Sequence, residues 1–309
     1  MRVSAERQGG ALSRRCAPEA APGSTSSASP SANEPPVVVH LPHVPVAPVV
    51  FTSPHSGRRY DREFLESTRL DLPTLRRSED CFVDELFLAA SKMGSPLLAA
   101  RFPRAYCDVN REAWELDPAM FAERLPPWVN TRSSRVLAGL GTIARVAASG
   151  EPIYRRKLTF GEARRRVATC WVTFHAELQR LASMTKSAFG TCLVVDCHSM
   201  PRLSTGQSPI QFIIGDAHGT SCAPEIADNL ELTLKKLGYR VGRNSPYAGG
   251  YITTNYGRPR RGIHAIQLEI ARGLYMDEAN LLPSAQFAVL QAHLSTVITA
   301  LMNAGSALR

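Results

Sequence analysis

The chain has 309 residues, 44% hydrophobic and 20% charged, enough to bury a full core in one large domain or two small ones. No apolar run reaches the roughly 18 uninterrupted residues of a membrane span, because charge, Gly or Pro cuts each one. A net charge of +9 raises nucleic acid as a partner, but the basic clusters at 154–166 and 257–262 lack interleaved aromatics that stack bases; this favours a small anionic substrate held by guanidinium groups.

Residues 1–36 are Ser, Ala, Pro, Gly and Arg with scarcely a large apolar side chain, so they read as a disordered tail and residues 37–309 as a single domain. The tail has no apolar stretch of the kind a secretory signal needs. A first strand is predicted over 49–52, kept short by Pro45 and Pro48, and it runs into "SPHSG". His55 therefore projects from the end of a rigid element, a position that suits a ligand or a catalyst and equally a turn histidine.

A helix is predicted over 81–93, with Glu79 and Asp80 just before it, where acids are ordinary capping and dipole partners. The stretch 101–154 is rich in Arg, Pro and Gly and weakly periodic. Its Phe102, Tyr106, Trp114, Phe121 and Trp128 are costly to leave in water, so it reads as an ordered, loop-rich segment bordering a site. Within it Asp108, Asn110 and Arg111 suit the fixing of a substrate carboxylate and its neighbours.

Further helices are predicted over 160–183, 223–237 and 284–302, and strands over 192–197, 210–215 and 265–270, an alternation that signals an α/β layer sandwich. His175, on an apolar-rich helix, reads as a core histidine. The strand at 192–197 also ends in His-Ser, with Asp196 and His198 on one face. In a parallel sheet, ligands gather beyond the carboxyl ends of strands, so the two imidazoles can meet. Two histidines, a carboxylate and an open position form the usual ligand set of a hydrolytic zinc site. Glu269 alternates with Ile266, Leu268 and Ile270; it is either a general base with a raised pKa or part of a wet strand face. "GGYITTNYGRP" at 249–259 reads as a flap or a turn. Seven scattered cysteines with no CxxC pair favour reduced thiols and a cytoplasmic setting. A GxSxG elbow and a GxxxxGKS loop are both missing.

Taken in order, "SPHSG", "RRSEDCFVDELF", "ARFPRAYCDVNRE", "VNTRSSRVLAGLGTIARV", "VVDCHSMP", "PYAGGYITTNYGRP" and "HAIQLEIARGLYMDE" resemble the N-formylglutamate amidohydrolase family, related to zinc carboxypeptidases and aspartoacylases. The resemblance implies a three-layer αβα sandwich around a mixed, mostly parallel sheet of zinc-carboxypeptidase type. It further implies hydrolysis of the formyl amide of N-formyl-L-glutamate, in histidine degradation, by one divalent metal, Zn2+. On this chain it implies His55, His198 and Asp80 as metal ligands, with Glu79 as the alternative carboxylate, and Glu269 as catalytic glutamate. Asn110 and Arg111 match a substrate-gripping pair, and Arg104 or Arg132 would assist the oxyanion. Asn255 and Ala271 depart from the family's usual residues, and where they touch substrate the acyl or amino-acid preference would differ. The rival readings are an amidohydrolase or peptidase acting on another N-acyl amino acid and a non-catalytic anion-binding protein.

Overall fold

The computed structural model describes residues 34–201 and 209–308, which belong to one compact unit. The expected tail lies outside the described residues up to 33. Its last three residues are tied to the body, since Pro36 O accepts from Arg101 N at 2.9 Å and Glu34 O from Arg59 at 2.9 Å.

Seven strands form the main sheet: β1 (Val37–His40), β2 (Val49–Ser53), β3 (Leu97–Ala100), β4 (Cys192–Met200), β5 (Phe212–Gly215), β6 (Val241–Arg243) and β7 (Ile263–Ala271). Their spatial order is β1-β3-β2-β4-β7-β5-β6. Only β1–β3 and β5–β7 pair antiparallel, so the sheet is mixed and mostly parallel, as the sequence leads one to expect.

The helices are α1 (Arg62–Ser67), α2 (Leu72–Arg76), α3 (Val83–Leu86), α4 (Ala89–Lys92), α5 (Ser134–Leu137), α6 (Phe160–Arg166), α7 (Thr173–Phe189), α8 (Pro224–Lys236), α9 (Tyr251–Tyr256) and α10 (Phe287–Ser306). Strand alternation sends Val49, Phe51, Val195, Ile266 and Leu268 to one face, under α8 and α10, and Val50, Val194 and Ala265 to the other, under α7 and α9. The result is an αβα sandwich. A third apolar cluster, including Phe64, Leu116, Phe121, Ile143 and Ile153, packs much of the 101–154 segment as an ordered, loop-rich body.

Two predicted helices are more broken than expected. The one over 81–93 is two single turns, because Phe82 takes a left-handed φ of 64° and the chain turns again at Phe87. The one over 160–183 extends to Phe189 and contains a π-helical turn, Val167–Val172, between α6 and α7. Stretch 249–259 contains the helical turn α9 and is no open flap.

Helix α10 departs from the expectation that charge, Gly or Pro cuts every apolar stretch. Its 20 residues have no charged side chain and a mean hydropathy of 1.3, long and apolar enough to cross a membrane, although Gln, His, Ser and Thr interrupt the apolar run. In this structure Leu290, Leu294, Val297, Ile298 and Leu301 pack into the core, each burial contributing about 1.5–3 kcal/mol.

Candidate metal centre and active site

The carboxyl ends of β2, β4 and β7, adjacent parallel strands, open into one cavity. His55 lies just past β2. Gly57 follows because a β-carbon there would collide with the carbonyl of Phe102, so only glycine lets the loop lie so close. On β4, Val194 faces the apolar layer, and two and four residues on the same face turns polar with Asp196 and His198; β7 repeats this with Ala265, Gln267 and Glu269. His198 and Glu269 are register partners. Both are buried, so Glu269 does not belong to a wet strand face.

The two imidazoles stand with ring centroids 4.8 Å apart and turn Nδ1 toward Asp80, whose Oδ2 lies 3.0 Å from His198 Nδ1 and 3.4 Å from His55 Nδ1. The outer nitrogens are held by separate acids. His55 Nε2–H donates to Asp108 at 2.7 Å, and His198 Nε2 is 2.8 Å from Asp196, itself held by Thr52 at 2.8 Å. Each carboxylate thereby orients its ring and leaves Nδ1 to face inward. Asp108, expected to fix substrate, instead fixes His55.

Asp80 is held by its backbone N–H on His55 O at 3.0 Å and by Arg272 and Ser199 on Oδ1 at 3.2 and 3.3 Å. Neither acid of the Glu79–Asp80 pair caps a helix: α3 starts after the left-handed Phe82 with no side-chain cap. Glu79 points away, to Tyr60 at 2.8 Å and Arg76 at 3.2 Å.

His55, Asp80 and His198 offer ligand atoms all within 4.8 Å of one another, and all three are buried. Tetrahedral bonds of about 2.1 Å put ligand atoms about 3.4 Å apart, close to the two spacings seen on Asp80. His55 Nδ1 is buried without a hydrogen-bond partner, which a cation would supply. Electrostatics point the same way. Burial disfavours charge on His198, yet Asp196 and Asp80 outweigh it and hold the ring well above its usual value, so the cluster draws in positive charge. Burial pushes Glu269 up to about 7, with the Asp80 and Asp196 carboxylates adding to it against His198 and Arg104.

The expected substrate residues divide. Arg104 lines the cavity and donates to Asp108 at 2.7 Å. Arg111 lines it too, donating to Leu140 O and Asn110 O at 2.9 and 2.8 Å. Asn110 lines it with its amide engaged on both sides, Nδ2 on Asp196 at 3.0 Å and Oδ1 accepting from Ile252 N at 2.8 Å. Gly250, at the start of α9, abuts that amide where a β-carbon would overlap it. Arg132 is exposed and does not line the cavity; Arg135, one helical turn on, does. Sequence reasoning missed Arg135, Gln267, Tyr247 and the role of Arg272, since none carries a motif signal by itself. Of the two departures, Asn255 is exposed and Ala271 sits in a small apolar cluster, so neither faces the cavity. His175 is a core histidine, its Nε2 on Val109 O at 2.8 Å and its Nδ1 3.1 Å from Tyr256 Oη.

Compared with known proteins, residues 47–276 match the family described as N-formylglutamate amidohydrolase. The chain is 30% identical over 241 residues to the N-formylglutamate deformylase of Pseudomonas putida, covering 75% of this chain and 82% of that protein. The solved N-formylglutamate amidohydrolase of Ralstonia eutropha JMP134 superposes with a TM-score of 0.82 at 34% identity, over 87% of this chain and 98% of that one. A gene product of Agrobacterium tumefaciens shares the fold at 17% identity, with a TM-score of 0.59 over 87% of this chain and 95% of that one.

Proposed function

Because the chain belongs to the N-formylglutamate amidohydrolase family and is a hydrolase acting on an amide, we propose that it cleaves N-formyl-L-glutamate to formate and glutamate with one divalent cation held by His55, Asp80 and His198. The observation that carries the reading is the convergence of two Nδ1 atoms and one carboxylate on a point beside Glu269. Two nitrogens and an oxygen suit Zn2+, which would polarise the amide carbonyl and acidify water in its open position. The same reading assigns the reaction to histidine degradation in the cytoplasm, with a small anionic substrate and neither nucleic acid nor membrane as partner.

Glu269 takes a proton from the attacking water and returns it to the leaving amine. A carboxyl pushed up to about 7 is poised to do both near neutral pH. Gln267 donates to Glu269 Oε1 at 2.8 Å and orients it. Arg111 binds a substrate carboxylate, and Arg104 faces the developing oxyanion from the same wall.

The test is formate release from N-formyl-L-glutamate by protein loaded with Zn2+, stripped by chelator, and reloaded. Activity should vanish on stripping and return on reloading. Undiminished hydrolysis by metal-free protein would remove the metal from the mechanism, and no formate with any divalent cation would remove the substrate.

A further inference from the structure

The cavity carries one more cation than its acids account for. Arg104, Arg111, Arg135 and Arg272 line it, against Asp80, Asp108 and Glu269. Arg104 pairs with Asp108 at 2.7 Å and Arg272 with Asp80 at 3.2 Å. Arg111 is 3.6 Å from an Asp108 oxygen that Arg104 already holds. It donates Nε–H to Leu140 and one Nη1 hydrogen to Asn110, so three of its five donors remain. The side chain of Arg135, on the exposed turn α5, makes no hydrogen bond or ion pair among the described residues.

One loop ties the two arginines together. Arg135 O accepts Leu140 N–H at 2.8 Å, and Leu140 O accepts Arg111 Nε–H at 2.9 Å. Two guanidinium groups held on one wall repel each other; burial first, then Arg104 and Arg135, keep Arg111 below its ordinary value. An anion with two separated carboxylates relieves both. Arg111 is the inner group, next to Asp108 and so to His55, whereas Arg135 stands on the outer wall.

We infer that Arg135 selects for a dicarboxylic amino acid by binding the side-chain carboxylate, while Arg111 takes the α-carboxylate. This rests on the amidohydrolase reading above. With the scissile amide at the histidines, the α-carboxylate is attached to the carbon that bears the amide nitrogen and falls to the inner arginine. The side-chain carboxylate lies two methylenes further out and falls to the rim.

The test compares kcat/KM for N-formyl-L-glutamate and N-formyl-L-glutamine, near isosteres that differ in one charge, in the Zn2+-loaded wild type and in Arg135→Gln. The wild type should prefer the glutamate derivative. The substitution should cut that preference by about 10- to 100-fold, the worth of a charge-assisted hydrogen bond, chiefly through KM, and Arg135→Lys should recover part of it. Arg135 is exposed and has no internal partner to lose, so the fold does not depend on it. An unchanged preference in Arg135→Gln, or a wild type with none, overturns the inference. If the wild type hydrolyses neither compound, the amidohydrolase reading falls, and calorimetric titration with L-glutamate and L-glutamine decides the inference separately. A wild-type preference for glutamate that Arg135→Gln abolishes sustains it, and equal binding of the two by the wild type refutes it.

Discussion

Asp108→Asn keeps the shape of the side chain and removes its charge, isolating what the carboxylate does for His55. In the native protein Asp108 Oδ1 accepts from His55 Nε2–H at 2.7 Å, and Oδ2 takes Arg104 at 2.7 Å with Arg111 at 3.6 Å. Asp108 is buried and stays ionised: burial opposes the charge, but Arg104, Arg111 and His55 outweigh it and hold the carboxyl well below its usual range. Asn still offers His55 an acceptor oxygen, but a neutral one, and turns its NH2 group against the Arg104 guanidinium that Asp108 Oδ2 holds; losing the charged acceptor on both sides removes about 1.5–3 kcal/mol. At about 1.4 kcal/mol per decade this is roughly 10- to 100-fold in cation affinity, the range expected when the carboxylate behind a metal-bound histidine is replaced. The assay is Zn2+ titration of stripped protein against a competing chelator, beside a denaturant curve to confirm folding. A folded Asp108→Asn protein that binds Zn2+ within about threefold of wild type, well short of that range, would show that Asp108 does not prepare His55 as a ligand.

Glu269→Gln should retain fold and cation and lose about 10²- to 10⁴-fold in kcat, the usual contribution of a positioned acid-base group; near-normal turnover would place the base elsewhere. Because Glu269 must be ionised to accept a proton, wild-type kcat/KM should fall toward acid pH, with the limb below 7 once a cation's charge is added beside the carboxyl. Arg111→Lys keeps the charge but cannot hold both Leu140 O and Asn110 O while gripping a carboxylate, so KM should rise by about tenfold or more; an unchanged KM removes Arg111 from the clamp. Burial pushes His175 down to about 4 from 6.5, so the unfolded chain binds the extra proton between those values. Stability should be complete above pH 6.5 and decline by about 3 kcal/mol as pH falls to 4, and denaturant curves should show His175→Gln lacking that component.

The long elements could be read from the sequence because their periodicity is the consequence of one buried face. Strands β4 and β7 and helices α7, α8 and α10 are of this kind. Strand β3 escaped notice since its four residues "LLAA", buried on both faces, show no alternation, and the four residues of β1, "VVVH", are apolar on both faces until the last. The break at Phe82 has no sequence signal, because a left-handed φ is unexpected for an aromatic residue. At the site, strand ends announced His55 and His198. Nothing local separates Asp80 from Glu79: in an irregular turn there is no period to say which side chain faces in, and a backbone bond to His55 decides it. The choice between Arg104 and Arg132 was as open, and Arg135 went unweighed, because nothing local says which arginine of the 101–154 segment faces the cavity. The partnership of Asp108 with His55 joins residues 53 apart, beyond any local pattern.

His198 and Glu269 sit opposite each other on adjacent parallel strands, so their separation is set by the backbone ladder, at about 4.8 Å between strands, and not by side-chain packing. The sheet thus acts as a ruler between the candidate ligand and the candidate base. One residue inserted into β7 ahead of Glu269 would bring Leu268 into register with His198 and turn Glu269 to the opposite face of the sheet. The chemistry is therefore protected against point changes in the surrounding apolar layers and exposed to any change in the length of two strands, which confines viable length variation in this enzyme to the connections between them.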